Sequence, residues 1–345
     1  MHMADALISP AVGATMWAGS LAVLGYSSRK LKKTIDNRTI PLMGVMGAFI
    51  FAAQMINFTI PGTGSSGHLG GGMILTAILG PYAAFLVITS VLTVQALFFA
   101  DGGLLALGCN IWNLGVYPCF IGYCLIYKPL AGNGVNSRRI FLAAIFSVIV
   151  ALQLGAFSVV LETLFSGKSD LPFDTFLLLM QPIHLAIGLV EGMVTAFIIS
   201  YVKNARPEIL ESSATYHPLA AETPVKKIIT VFIVLAVIVG GVFSWFASTH
   251  PDGLEWSIAK ITGKEELTEQ GNGIAPVLRE LQEKTAFLPD YNFKTGMKEE
   301  TEKAAEPDWP AIEAGTSVAG ILGSVIVLGI VFLIGFGIRC LKRNI

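Results

Sequence analysis

Charge is what this sequence has least of. Only 14% of its 345 residues are Asp, Glu, Lys or Arg, while 53% are hydrophobic. A soluble globular protein carries about 25% charged residues, so this chain lacks the polar atoms to cover a water-facing surface. A cytosolic enzyme and a nucleic-acid binder are thereby excluded. Cysteine is sparse as well: Cys109, Cys119, Cys124 and Cys340 sit in or beside apolar runs, with no C-x-x-C pair. They read as small packing residues, which excludes a disulfide-stapled secreted domain. No Lys or Arg precedes Arg29. A cleavable signal peptide needs its basic residues before the apolar run, so the first segment is expected to stay attached. Nor does G-K-[ST] follow any glycine-rich stretch, so the chain has no ATP site of its own.

What is present is a series of apolar runs, several approaching the ~20 residues that cross a bilayer as a helix. They fall near 9–28, 39–57, 70–81, 83–100, 103–127, 139–162, 175–202, 225–247 and 317–338. The third is short, and Gly80-Pro81 separates it from the fourth. Joining 70–100 into one helix gives eight crossings instead of nine. Basic residues favour nine, because an outer N-terminus then puts four basic groups on the inner side. These are Arg29–Arg38, Lys128–Arg139, Lys203–Lys227 and Arg339–Arg343. The expected architecture is all-α integral membrane: a seven-helix bundle plus a two-helix C-terminal module, N-terminus outside and C-terminus inside. Three regions follow, a membrane domain over 1–205, a cytoplasmic linker over 206–224, and an auxiliary module over 225–345. The module's outer loop, 248–316, holds 14 acidic and 7 basic residues, with Asn272-Gly273, a helix predicted around Val277–Thr285 and a charged tract at Lys298–Glu306. On the first helix Ala14, Ala18 and Ala22 form a small-residue stripe suited to close packing, against its own bundle or another subunit.

The start, Met1-His2-Met3, is the sharpest chemical feature. A free Met1 amine, the main-chain nitrogen of His2 and its imidazole Nδ1 can chelate one ion through five- and six-membered rings. Planar nitrogen coordination of this kind suits Ni(II) or Cu(II). A fourth nitrogen would complete the square. His68 is the candidate, since it falls on the same expected side as Met1, in a Pro61–Gly72 loop with six glycines. His217 falls on the inner side, out of reach. The plain alternatives are a histidine that merely follows the start and a glycine-rich turn. His184 and Glu191, seven apart, share one face of a membrane helix and suit a structural pair, a relay or ligands. Gln54, Asn57, Gln95, Asn110 and Asn113 are candidates to line a cavity or join helices. Asp101 lies at an outer helix junction, and Asp5 can orient the imidazole or the amine.

Three stretches carry a resemblance: Met1-His2-Met3-Ala4-Asp5-Ala6-Leu7-Ile8-Ser9-Pro10, Gly62–Gly72 around His68, and Phe99-Ala100-Asp101-Gly102-Gly103-Leu104. Gln95-Ala96-Leu97 and His184–Gly192 fit the same pattern. Over about 1–205 the chain resembles the nickel/cobalt-type substrate-binding component of energy-coupling factor transporters, the NikM/CbiM family. The remainder, with Pro251-Asp252-Gly253-Leu254-Glu255, resembles the small auxiliary subunit of the NikN/PDGLE type, fused on. The resemblance implies a multi-pass protein of a bacterial or archaeal cell membrane. It implies four nitrogen ligands: the Met1 amine, the His2 main-chain nitrogen, the His2 imidazole and the His68 imidazole. Ni(II) is then the transported substrate, with Co(II) for cobalamin biosynthesis as the alternative. The implied partners are a transmembrane coupling subunit and two cytoplasmic ATPases. Two other classes compete. An intramembrane metal-dependent enzyme would use His184 and Glu191, although H-E-x-x-H is missing. A vitamin-binding component would need an apolar cavity and no special N-terminus.

Overall fold

The computed structural model describes residues 2–132, 136–219, 225–265, 267, 273–294 and 310–343. Met1, Asn272 and the tract Lys298–Glu306 lie outside the described residues.

After a short turn at Asp5–Leu7, helix α1 runs over Pro10–Thr34. Ser9 caps it by accepting from the Val12 N–H, and Pro10 fills the first-turn position where a missing N–H costs nothing. There follow α2 (Thr39–Gln54), α3 (Gly72–Leu79), α4 (Pro81–Phe99), α5 (Leu107–Ala131), α6 (Ser137–Ser166) and α7 (Phe173–Ala205). The expected break at Gly80-Pro81 is real: Gly80 takes a positive φ and separates α3 from α4. In α5 the stretch Trp112–Tyr127 is widened to a π-type helix around Pro118, which has no N–H to donate. The span read as a linker contains a helix, α8 (Pro207–Thr215), which packs under α3 through Ser213 Oγ donating to the Ala77 carbonyl at 2.6 Å.

The C-terminal part begins with α9 (Lys226–Gly241), continues through α10 (Gly253–Thr262) and α11 (Ile274–Thr285), and ends with α12 (Ala314–Arg343). The helix expected around Val277–Thr285 is α11. Helices α9 and α12 are tied by Trp245 Nε1 donating to Ser317 Oγ at 2.7 Å, and by Ser317 Oγ donating to the Gly241 carbonyl. Both helices pack on α2, where Val327 and Val331 are buried and Ser324 Oγ reaches the Ala48 carbonyl.

A helix covers each of the nine expected apolar runs. Five helices are long and apolar enough to cross a membrane: Pro81–Phe99, Leu107–Ala131, Ser137–Ser166, Phe173–Ala205 and Ala314–Lys342. Their outward faces expose large apolar side chains such as Leu125, Phe165, Leu178 and Leu333. An apolar belt of that extent belongs in lipid. The chain is therefore a mostly helical, multi-pass membrane protein.

Ala14, Ala18 and Ala22 are exposed, whereas Gly13, Ser20 and Ser27 form the buried stripe of α1. Polar anchors choose that face: Trp17 Nε1 donates to the Leu104 carbonyl and Ser20 Oγ to the Gly108 carbonyl. The glycine-rich loop, in turn, is a hairpin. Strands β1 (Phe58–Ile60) and β2 (Ser65–Gly67) pair antiparallel, with Phe58 opposite Gly67.

Candidate metal-binding site

The main chain after Met1 is threaded into the bundle and held there. The Met3 N–H donates to Asn110 Oδ1 at 2.8 Å, and the Met3 carbonyl accepts from Asn110 Nδ2 and from the Gly103 N–H at 2.9 Å. Met3 itself is fully buried. Asn110, expected to line a cavity or join helices, thus acts as a main-chain mimic that fixes the register of the N-terminal segment. Asp5 is engaged by the main chain ahead of α5. Its Oδ1 accepts the Ala106 N–H at 2.9 Å and braces the turn that leads into α5. Gly103 is required beside it, because a Cβ there would lie 1.8 Å from the Asp5 carboxylate.

From this anchorage the His2 ring meets His68. The two imidazoles lie face to face, centroids 5.0 Å apart and planes 11° apart. His68 is carried by the turn between β2 and α3. Its Nδ1 is 3.1 Å from the Leu69 carbonyl, which can only accept, so Nδ1 carries the proton and Nε2 keeps the lone pair. The turn is clamped from below. Glu191 takes the Gly70 N–H on one carboxylate oxygen (2.9 Å) and the Gly71 N–H on the other (2.8 Å), while Gln54 Nε2 donates to the Gly70 carbonyl. Gly71 sits at φ 74, and a Cβ there would press on Ile50. Its glycine is a geometric necessity.

His184 and Glu191 do not pair with each other. Glu191 is spent on the two glycine amides, and His184 Nδ1 donates to the Met180 carbonyl of its own helix at 2.8 Å. His184 lies against the C-terminal part, since a Cβ on Gly253 would stand 3.1 Å from its Cε1. Asn57 contributes its carbonyl, which accepts the Ser248 N–H. Gln95 is fully buried with its amide beside His2 and Tyr291, and Nε2 of His184 has no hydrogen-bond partner among the described residues. Asn113 joins helices, donating from Nδ2 to Glu162 Oε2 at 2.9 Å, a buried carboxylate that the sequence did not single out. His217 is at the other end of the bundle, lining a pocket with Gly80, Tyr82 and Leu219.

Sequence reasoning missed how the C-terminal part closes over this site. The Ser66 N–H donates to the Pro251 carbonyl at 2.8 Å, Ser66 Oγ to the His250 carbonyl, and Trp256 Nε1 to the Thr63 carbonyl. Asp252 caps α10 by accepting the Leu254 and Glu255 N–H groups, and Glu255 answers with a carboxylate to the Asp252 N–H. Further along, Gln282 Nε2 donates to the Ala96 and Gly102 carbonyls, and the Tyr291 hydroxyl donates to Asp101. Asp101 in turn lies 3.2 Å from His2 Nδ1. The only sequence signals were the Pro251–Glu255 motif and the acidic residue at a helix junction, neither of which names its partner.

Burial sets the electrostatics. It pushes both His2 and His68 down to about 3, so the imidazoles are neutral at pH 7 and ready to act as ligands. Among the described residues no three His, Cys, Asp or Glu side chains converge as a ready-made metal cage. What the site offers is nitrogen: two neutral imidazoles beside buried main chain, with the Asp101 and Asp252 carboxylates at hand to balance a cation. Such a donor set suits the later first-row divalent ions and disfavours Mg(II) or Ca(II), which want oxygen.

Residues 2–209 match the family model described as the cobalt uptake substrate-specific transmembrane region, and residues 226–340 match the PDGLE domain. A putative fused nickel transport protein NikMN of Archaeoglobus fulgidus is 32% identical, over 96% of this chain and 97% of that one. The cobalt transport protein CbiM of Sorangium cellulosum is 27% identical, covering 61% of this chain and 95% of its own. The crystal structure of a transition metal transporter superposes with a TM-score of 0.53 at 30% identity, over 63% of this chain and 98% of that one. The chain belongs to the cobalt uptake substrate-specific transmembrane family, in the form that carries a PDGLE domain behind it.

Proposed function

We propose that the chain is the substrate-capture component of an ATP-driven energy-coupling factor importer, and that its cargo is Ni(II). The ion is held by the Met1 amine, the His2 main-chain nitrogen, His2 Nδ1 and His68 Nε2 in a flat arrangement. The observation that carries this reading is the meeting of two buried, neutral imidazoles from distant parts of the chain, one of them next to the N-terminus. The fixed tautomer of His68 supports it, because Nε2 is the nitrogen left with a lone pair. Copper binds such a set more tightly than nickel, so selection rests on geometry and supply. Co(II) is the second reading, favoured by relatives that bear cobalt as well as nickel transport names.

The three-region division, nine crossings with the N-terminus outside, and residence in a bacterial or archaeal cell membrane belong to the same proposal. So do a transmembrane coupling subunit and two cytoplasmic ATPases, which would supply the energy that a chain without a nucleotide motif lacks. The intramembrane enzyme loses its support, since His184 and Glu191 are engaged separately. The test is insertion of one residue between Met1 and His2. It breaks the five- and six-membered chelate and is expected to abolish nickel retention; retention equal to the parent chain refutes the proposal.

A further inference from the structure

Helix α11 has three unlike faces. Ala275, Leu278, Gln282 and Thr285 recur at the spacing of one helix face and are half-buried toward the bundle. Arg279, Glu280, Glu283 and Lys284 are exposed on the far side, joined as the ion pairs Arg279–Glu283 and Lys284–Glu280. Between these two faces runs a ridge of Ile274, Val277 and Leu281, spaced i, i+3 and i+7, and 51%, 64% and 48% exposed. A bare apolar ridge rimmed by charge marks a surface that meets lipid or protein.

The fold fixes the level at which the ridge lies. With 19 residues, α4 is about 28 Å long and matches the ~30 Å of hydrocarbon in a bilayer. Its last turn leaves carbonyl oxygens without partners inside the helix. The C-terminal part supplies them: Gln282 Nε2 donates to the Ala96 carbonyl at 2.8 Å, and the Leu288 N–H donates to the Phe98 carbonyl at 3.4 Å. Helix α11 is thus moored where a membrane span ends, on the side of the bundle that carries the imidazoles. Phe287, two residues past α11, joins this segment to the apolar flank of α4. Its ring lies against Phe98 and Phe99, centroids 5.6 Å and 5.8 Å away, and is still 41% exposed. The two basic and two acidic side chains of α11 cancel, so attraction to anionic headgroups is not what would hold it.

We infer that α11 is an interfacial helix, with the Ile274–Val277–Leu281 ridge seated in the outermost acyl layer of the bilayer and the charged face turned to water. Phospholipid is the occupant because the ridge stands at the edge of the belt that lipid covers. The bundle face and the charged face flank it on the two sides that a helix lying in the interface requires. The stretch 273–294 therefore rests on two supports, the capped end of α4 and the lipid under α11.

Fluorescence quenching of the full chain in phosphatidylcholine nanodiscs tests this. Cys124 and Cys340 are replaced by Ser, which leaves the two fully buried cysteines. One reporter cysteine carrying an environment-sensitive dye is then introduced at a time, as Val277→Cys, Leu281→Cys or Glu283→Cys. All three positions are exposed, so the dye displaces no packed side chain. The quencher is phosphatidylcholine with a doxyl group high on its acyl chain. The dye at 277 and 281 is expected to emit at shorter wavelength and to be quenched roughly threefold more strongly than at 283, with or without added phosphatidylglycerol. Equal, weak quenching at all three positions means a water-facing ridge and overturns the inference. Blue-shifted emission at 277 and 281 without quenching means that protein, a second copy of the chain included, covers the ridge, and overturns it too. Quenching that appears only with phosphatidylglycerol contradicts apolar seating and has the same consequence.

Discussion

Single nitrogen atoms carry most of the account. His68→Ala removes one of four proposed ligands and is expected to lower nickel affinity by at least a hundredfold, measured by isothermal titration. His217→Ala, at the far end of the bundle, is expected to leave affinity within twofold. Acid should act on the site in two ways. An imidazole held at about 3 in the folded chain and near 6.5 when unfolded gives its full stabilisation above pH 6.5 and loses it as pH falls toward 3. The metal-free protein is therefore expected to unfold at a lower temperature at pH 5 than at pH 7, and a His68→Gln variant should show a smaller drop. A melting temperature independent of pH over that range would refute the burial of neutral imidazoles. Nickel affinity should also fall between pH 7 and pH 5. Because both rings are already neutral there, the protons competing with the metal are those of the main-chain nitrogens. The imidazole tautomers were beyond the reach of sequence, since they depend on the Leu69 carbonyl and on Asp101.

At the scale of elements, the helices were legible and their faces less so. Long apolar runs and the Gly80-Pro81 break suffice to place nine helical segments, because each helix satisfies its own backbone. The hairpin before α3 was not legible: glycine and serine show no alternation, and its second strand gains its outer partner from Pro251, far along the chain. Small size permits packing on either side of α1, and the hydrogen bonds from Trp17 and Ser20 decide which side faces this bundle, leaving the alanine stripe outward. His184 and Glu191 share a face as their spacing requires, but spacing cannot say that Glu191 is committed to two glycine amides. That clamp gives a prediction of its own. Glu191→Gln leaves one of the buried N–H groups without an acceptor, which costs about 1–3 kcal/mol. The variant is expected to melt at a lower temperature and to hold nickel less tightly as the His68 turn loosens. An unchanged melting temperature and affinity would show that the clamp does not position His68.

The whole molecule is two parts that share one site. The first seven helices and the hairpin present the imidazoles, and the stretches 248–265 and 273–294 lie across them through Ser66, Thr63, Ala96 and Asp101. Composition and the Pro251–Glu255 motif identify these stretches in the sequence, but their docking depends on pairings between residues some 180 positions apart, which no local pattern encodes. An isolated chain is expected to bind nickel yet show no ATP hydrolysis above background. Uptake into cells should require co-expressed coupling and ATPase subunits; nickel uptake by this chain without them would contradict the proposed assembly.

The central claim is that the first nitrogens of the polypeptide hold the ion. Elemental analysis of protein purified with an untagged amino terminus, paired with intact-mass measurement, tests it most directly. The account predicts one nickel per chain that begins at Met1, and none after a residue is inserted ahead of His2. Stoichiometric nickel on the inserted variant, or on a mature chain that starts beyond His2, would contradict it.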